Sequence, residues 1–188
     1  SPQSYGVLKA DGIEDWRVTL AETGLETMTG GRIKRIEQYI TGDDFLLTYG
    51  DGLADIDVAK ILDFHRSHGR IATVTAVTPP SRFGELDLEG QKIVSFMEKP
   101  ALVSGHVSGG FFVLNRRVFE FLDDRPDLVF ELDVLPHLAS IGELMAYRHE
   151  GFWHAMDSGR DHQALNDLWD TGRAPWSMWA APKFRVAA

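Results

Sequence analysis

Two acidic residues stand where a carboxylate could do chemistry. Asp51 lies in Gly50-Asp51-Gly52, directly after the apolar run Phe45–Tyr49, and Asp157 lies in Asp157-Ser158-Gly159, directly after Phe152–Met156. Each acid closes a short apolar segment and has glycine nearby, which permits a sharp turn and leaves the carboxylate little steric cover. In open α/β sheets, ligands gather at the carboxyl ends of strands. Gly-Asp-Gly is equally a common turn. Two lone aspartates far apart in the chain suit one divalent cation better than acid–base work. Mg2+ takes few carboxylates and fills its remaining positions with water and phosphate oxygens. A general acid would want an apolar pocket to raise its pKa, whereas glycine-flanked acids are solvated.

Other residues could serve a phosphate or a sugar. Thr27-Met28-Thr29-Gly30-Gly31-Arg32 opens a segment with Ile33, Ile36 and Ile40 at helical spacing. Unpaired N–H groups facing outward at that start, with the forked cation of Arg32, could hold a phosphate. A plain helix start with solvated basic residues fits the same pattern. Glu98-Lys99 before Pro100 places a carboxylate and an ammonium at a cleft mouth or at a solvated strand end. His65-x-x-His68 has no third ligand at a usual zinc spacing and reads as solvated helix-end histidines. No Gly-x-Ser-x-Gly, Gly-x-x-x-x-Gly-Lys-Ser/Thr or Gly-x-Gly-x-x-Gly signature supports a hydrolase, P-loop or dinucleotide reading.

The elements that must position these residues follow from pattern. Val18–Leu20 is a brief strand candidate, and Phe45–Tyr49 reads as a strand buried on both faces. Asp55 or Asp57 caps a helix with Val58, Ile61, Leu62 and His65 on one face, stopped by Gly69. Ile71–Val77 is the next strand, completing a βαβ unit whose default crossover is right-handed. Phe83–Met97 reads as an antiparallel hairpin turning at Glu89-Gly90, and residues 101–107 as a loop. Ser108-Gly109-Gly110 leads into the strand Phe111–Leu114, its glycines letting a ligand approach the backbone. Helices are expected at Arg117–Leu122 and around Leu132, Leu135, Leu138 and Ala139, with Pro136 near the start of the second. Leu144–Tyr147 and Phe152–Met156 are strands. Ser158 or Asp161 caps a last helix that turns Ala164, Leu165, Leu168 and Trp169 to the core.

The 188 residues, 44% hydrophobic and 25% charged, suit a single globular domain over 1–188, with 180–188 as a loose tail. The net charge of −9 disfavours a nucleic-acid binder working on backbone phosphates. No cysteine is present, which excludes disulfides, thiolate zinc sites and cysteine nucleophiles. No stretch is long and apolar enough to cross a bilayer and no signal peptide is visible, so a cytoplasmic location is expected. The start at Ser1, without methionine, suggests an incomplete N-terminus. Trp176 and Trp179 suit either a homo-oligomer interface or intrachain packing.

A set of short motifs in one order carries further information. Thr27–Arg32, Thr48-Tyr49-Gly50-Asp51-Gly52, Arg82-Phe83-Gly84, Glu98-Lys99-Pro100, Gly109–Leu114, Gly151-Phe152-Trp153, Met156-Asp157 and Ala174-Pro175-Trp176 together closely resemble the glucose-1-phosphate cytidylyltransferases, or CDP-glucose pyrophosphorylases. The resemblance runs from about Trp16 to Trp179. It implies a Rossmann-like nucleotidyltransferase fold, with a mixed, mostly parallel sheet and an antiparallel hairpin insertion. It also implies Mg2+-dependent transfer of a cytidylyl group from CTP to α-D-glucose 1-phosphate, for deoxysugars of surface polysaccharide. Carried over by position, Asp51 and Asp157 would hold Mg2+. Gly50, Thr27 and Arg32 would meet the nucleotide, Glu98 the sugar hydroxyls and Lys99 the sugar phosphate. Gly109 and Gly110 would line the sugar pocket. Ser108 stands where the family usually has an asparagine on the sugar, and the family's opening glycine-rich βα unit is not seen in this chain. A non-catalytic sugar-nucleotide binding or regulatory relative, or a pyrophosphorylase for another nucleotide or sugar, is the alternative.

Overall fold

A computed structural model describes residues 18–79, 85–97 and 105–177. They fall into two compact units, the described residues of 18–45 with 115–143 and those of 46–114 with 144–177.

The first unit is built on helix α1, Thr29–Arg35, with Ile33 buried. A 310 turn follows at Glu37–Tyr39. A 310 stretch, Arg116–Phe121, takes the place of the helix expected at Arg117–Leu122. Asn115 nucleates it, its side-chain oxygen accepting from Arg117 N at 3.1 Å. A π-helical turn, Phe130–Val134, runs directly into α2, Leu135–Ser140, which has Pro136 in its first turn. Phe130, Val134 and Leu138 are buried, whereas Leu132 projects outward with 74% exposure, because the π turn rotates it off the expected stripe. Val18–Leu20 is not a strand, and both of its large apolar side chains are exposed.

The glycines at the start of α1 serve packing. The N–H of Met28 donates to Pro126 O at 2.7 Å, and those of Gly30 and Gly31 to Leu128 O at 2.9 and 3.3 Å. The expected outward-facing, unpaired N–H groups are therefore consumed by the 126–128 carbonyls. Only glycine lets those carbonyls so close. A Cβ at Gly30 would lie 2.6 Å from Leu128 Cγ, and one at Gly31 2.6 Å from Arg125 O. Overpacking costs about 1–3 kcal/mol, against roughly 1 kcal/mol that alanine gains over glycine in a helix. Gly31→Ala is thus expected to lose up to about 2 kcal/mol net, read as a lower urea midpoint at unchanged slope.

The second unit carries the sheet. Strand β1, Asp44–Thr48, runs into it from the first unit, and a short strand β2, Gly52–Ala54, follows. Asp57 caps α3, Val58–His68, accepting from Ala59 N and Lys60 N, and Gly69 ends it at φ 64°. The Lys60 N–H bond is the main reason the Asp57 carboxyl sits below its ordinary pKa. The remaining strands are β3 (Ala72–Val77), β4 (Glu85–Glu89), β5 (Lys92–Met97), β6 (Val107–Asn115), β7 (Leu144–His149) and β8 (Trp153–Ala155). Strands β4 and β5 form the expected hairpin about Gly90, at φ 63°.

The principal sheet has the order β1-β6-β3-β7. It is mixed, with β3 antiparallel to β6 and parallel to β7. The βαβ unit read from the sequence joins β1 to β3, and β6 lies between them. Among the described residues β1 is an edge of this sheet, and it is not buried on both faces: Leu46 is 55% exposed. Ile56, Ile61 and Val113 centre a core against which Leu62, Phe111 and Tyr147 pack.

Helix α4, Gly159–Asp170, is capped by Ser158. It buries Leu165 alone. Ala164 and Trp169, expected in the core, are exposed. Trp176 is buried within the chain, its ring 5.4 Å from that of Phe152, so its burial needs no second copy. Trp179 lies outside the described residues.

The histidine pair on α3 also departs from expectation. His65 is 2% exposed, and its Nδ1 lies 2.9 Å from Thr73 Oγ1, while His68 Nε2 lies 2.8 Å from the same oxygen. The i, i+3 spacing sends both rings onto one threonine of β3, which tacks the helix end to the sheet. His65 is therefore buried and His68 half-buried, not both solvated.

Candidate active site

In the second unit the backbones of the two strand-end aspartates lie at the same end of a ladder that sequence patterning missed. Strands β2 and β8 pair antiparallel, with Gly52 opposite Ala155, Leu53 opposite His154 and Ala54 opposite Trp153. One further bond extends the ribbon at each end: Met156 N donates to Asp51 O at 2.8 Å, and Asp55 N to Phe152 O at 3.2 Å. Asp51 is therefore bonded across to the immediate neighbour of Asp157. Both acids are exposed, with access for water and for a phosphate ligand. Residues 52–54, read as a turn leading into a helix, are the strand that makes this meeting possible. Three residues are too few for a periodic signal.

The glycines of Ser108-Gly109-Gly110 form a bulge on β6. Val74 faces Phe112, but Ala76 faces Ser108, so residues 109–111 stand against Thr75 alone. Gly110 takes φ 77°, and a Cβ there would meet the Tyr49 ring at 2.5 Å. A Cβ on Gly109 would lie 2.9 Å from Val77 Cγ1. Gly110 N donates weakly to Ser108 Oγ at 3.4 Å. The indole of Trp153 donates to Gly109 O at 2.8 Å and so joins the β2/β8 ribbon to the bulge. Trp153→Phe removes that donor and is expected to cost about 1 kcal/mol, measured as a lower melting temperature with the rest of the fold kept.

Two half-buried carboxylates brace the same ribbon. His149 Nε2 is in hydrogen-bond contact with Phe152 O at 3.2 Å and lies 2.9 Å from Asp55 Oδ1, a buried oxygen with no hydrogen-bond partner among the described residues. Gly151 lies flat against this pair, since a Cβ there would come within 2.3 Å of Asp55 Oδ1. At the other end, His154 Nε2 lies 3.0 Å from Asp161 Oδ1, and Ser158 Oγ donates to Asp161 Oδ2 at 2.7 Å. Among these, sequence patterning had proposed Asp55, Ser158 and Asp161 only as helix caps. The histidine pairings carry no local signal.

Thr27 and Arg32 belong to the first unit. Thr27 is buried and accepts from Arg35 Nη1 at 2.8 Å. Arg32 is exposed and donates to Thr23 Oγ1 and Leu25 O at 2.7 and 3.0 Å. Glu98 and Lys99 fall outside the described residues. A cavity of about 660 Å³ in the first unit, lined by Lys34, Glu37, Asn115, Arg116 and Phe119 among others, contains none of the candidates. Its Lys34 is engaged by Glu37 and by Phe119 O.

The donor set at the ribbon end fits a magnesium ion. Asp51 and Asp157 are exposed residues beside the same end of the ribbon, and both supply carboxylate oxygens, the donor type this ion takes. Sparse carboxylate donors with open surroundings are what this ion takes when phosphate completes its shell.

The sequence profile described as nucleotidyl transferase matches residues 10–174. The chain belongs to the nucleotidyl transferase family. Within it, the glucose-1-phosphate cytidylyltransferase of Salmonella typhi is 48% identical over 168 residues, which is 89% of this chain and 65% of that relative. The probable glucose-1-phosphate cytidylyltransferase of Bacillus subtilis (strain 168) is 42% identical over 166 residues, 88% and 65% of the two chains. The chain thus spans 65% of the length of each of these relatives. Among solved structures, HddC from Yersinia pseudotuberculosis superposes with a TM-score of 0.57 at 23% identity, covering 76% of this chain and 62% of that one. A putative glucose-1-phosphate thymidylyltransferase from Bacillus anthracis has the same TM-score at 20% identity, covering 76% and 61%. These two show the nucleotidyl transferase fold in this chain. No helix among the described residues is long and apolar enough to cross a membrane.

Proposed function

We propose that this nucleotidyl transferase chain is the catalytic core of a glucose-1-phosphate cytidylyltransferase, joining CTP and α-D-glucose 1-phosphate into CDP-glucose and pyrophosphate. The observation that supports the reading is the Met156 N to Asp51 O bond, which pairs the backbone of Asp51 with the residue before Asp157 at the ribbon end. Its likeness to the Salmonella typhi enzyme at 48% identity supports the choice of nucleotide and sugar. Cytoplasmic synthesis of a surface-polysaccharide precursor and assembly into a homo-oligomer complete the proposal.

Asp51 and Asp157 would hold Mg2+, which when bound draws charge from the phosphate oxygens and polarises the phosphorus for attack. The attacking oxygen belongs to a phosphate already ionised at neutral pH, so the chain needs no general base. Its task is alignment and neutralisation of charge. Gly50 would approach the nucleotide, with Thr27 and Arg32 as further nucleotide contacts. Glu98 would take sugar hydroxyls, and Lys99 would neutralise the sugar phosphate. Gly109 and Gly110, with Ser108, would face the sugar. Serine is shorter than asparagine and has no amide donor, so discrimination among hexose phosphates is expected to be weaker at that position.

The test is pyrophosphate release by the full gene product from CTP, glucose 1-phosphate and Mg2+, run against ATP, GTP, UTP, dTTP and other hexose 1-phosphates. Release confined to CTP and glucose 1-phosphate is expected. Nucleotide binding by calorimetry without turnover on any pair would reject catalysis in favour of a regulatory relative.

A further inference from the structure

We propose that Asp161 is a positioning residue that sets the carboxylate of Asp157, resting on the reading that Asp51 and Asp157 hold the cation. Asp157 lies in the short connection between β8 and α4, and both ends of that connection are tied to one carboxylate. Asp161 Oδ1 lies 3.0 Å from Nε2 of His154, on β8, and Oδ2 accepts from Oγ of Ser158, the residue that caps α4, at 2.7 Å. An ionised carboxylate can only accept, so His154 Nε2 carries the proton and the ring is held in one orientation. Ser158 Oγ accepts in turn from Asp161 N at 3.3 Å, closing the turn on itself.

The arrangement departs from what capping alone requires. In a Ser-x-x-acid capping box, the acid three residues on reaches back to the backbone N–H of the cap residue. Here Asp161 gives one oxygen to the Ser158 hydroxyl and the other to a strand residue that the helix does not need. The side chains of Asp161 and His154 are 14% and 26% exposed, whereas Asp51 and Asp157 are exposed residues. His154 in turn stands opposite Leu53 in the ladder, two residues from Asp51. The half-buried Asp161 of α4 thus braces the strand and the helix cap that flank Asp157, and its strand partner His154 belongs to the ribbon that begins next to Asp51. Partners that orient metal-holding groups in this way typically change metal affinity or activity by about 10–100-fold when removed.

The test is titration with Mn2+ alone, followed by loss of the free-ion paramagnetic resonance signal, with melting temperature and helix content measured beside it. Asp161→Asn and His154→Leu should each weaken Mn2+ binding by about tenfold or more in a folded protein. The double variant should be no weaker than Asp161→Asn alone, because that change already breaks the tie to His154. His154→Gln, which keeps a donor near the Nε2 position, should restore binding to within about twofold of the parent. Unchanged Mn2+ affinity in Asp161→Asn and His154→Leu, while Asp51→Asn and Asp157→Asn lose it, overturns the positioning role alone. Weakened binding that tracks melting temperature and is not rescued by glutamine also overturns it, in favour of a merely structural tie. If Asp51→Asn and Asp157→Asn bind Mn2+ as the parent does, the cation reading fails and takes this inference with it.

Discussion

Asp51→Asn is expected to lower pyrophosphate release by roughly a thousandfold, with the melting temperature unchanged. The magnitude follows from several kcal/mol of transition-state stabilisation supplied through the cation that Asp51 would hold, at 1.36 kcal/mol per factor of ten. The fold should survive for a specific reason. Met156 bonds to the backbone carbonyl of Asp51, not to its side chain, so the β2/β8 ribbon is indifferent to the change. The residue is exposed, and such substitutions usually stay within about 0.5 kcal/mol. Asparagine keeps the shape and removes the charge. A rate within twofold of the parent would sink the metal role of Asp51, whatever became of the other candidates.

Gly110→Ala should be the most damaging single methyl in the second unit. Two costs coincide there. The backbone sits at φ 77°, a region that costs an L-residue roughly 1–2 kcal/mol. The added Cβ would also stand 2.5 Å from Cδ2 and 3.1 Å from Cε2 of Tyr49, an overpacking worth about 1–3 kcal/mol more. The total loss, about 2–5 kcal/mol, should appear as a large drop in urea midpoint. Tyr49 cannot simply swing aside, because its ring also packs edge-on against Phe112, at 5.9 Å, and Phe112 is 2% exposed. Any displacement of Tyr49 is passed to Gly50 and Asp51, its next neighbours in the chain. Turnover in whatever fraction stays folded should therefore fall as well. A variant with the parent's urea midpoint would show that the bulge relaxes freely and that the close packing on Tyr49 is not what keeps this position glycine.

Some of this was legible locally. Asp57 and Ser158 cap the helices they precede, Gly69 and Gly90 take the left-handed conformations their positions called for, and the β4–β5 hairpin turns at Glu89-Gly90 as its alternation implied. These features depend on residues within a few positions of one another, and side-chain type alone decides them. The motif order from Thr27 to Trp176 carried the family in the same way, because a family is recognised from residue types in sequence.

Where local pattern misled, a distant partner had intervened. The Gly30-Gly31 N–H groups looked free because nothing nearby competes for them, yet the 126–128 carbonyls reach them. His65 looked solvated at a helix end until β3 supplied Thr73. Leu46 sits in an apolar run, but its strand is an edge of the described sheet.

Residue types by themselves determined that two acids would each end a strand beside glycine, and which helices, caps and turns would flank them. Tertiary structure alone decided that the backbone of Asp51 pairs with the residue before Asp157, and that Asp55 and Asp161 each lie beside a histidine. The reason is that β2 and β8 are too short to announce themselves, and their register is set by backbone bonds between segments remote in the chain. Hydrogen bonds of that kind depend on where the rest of the molecule places each strand, which no run of neighbouring side chains encodes.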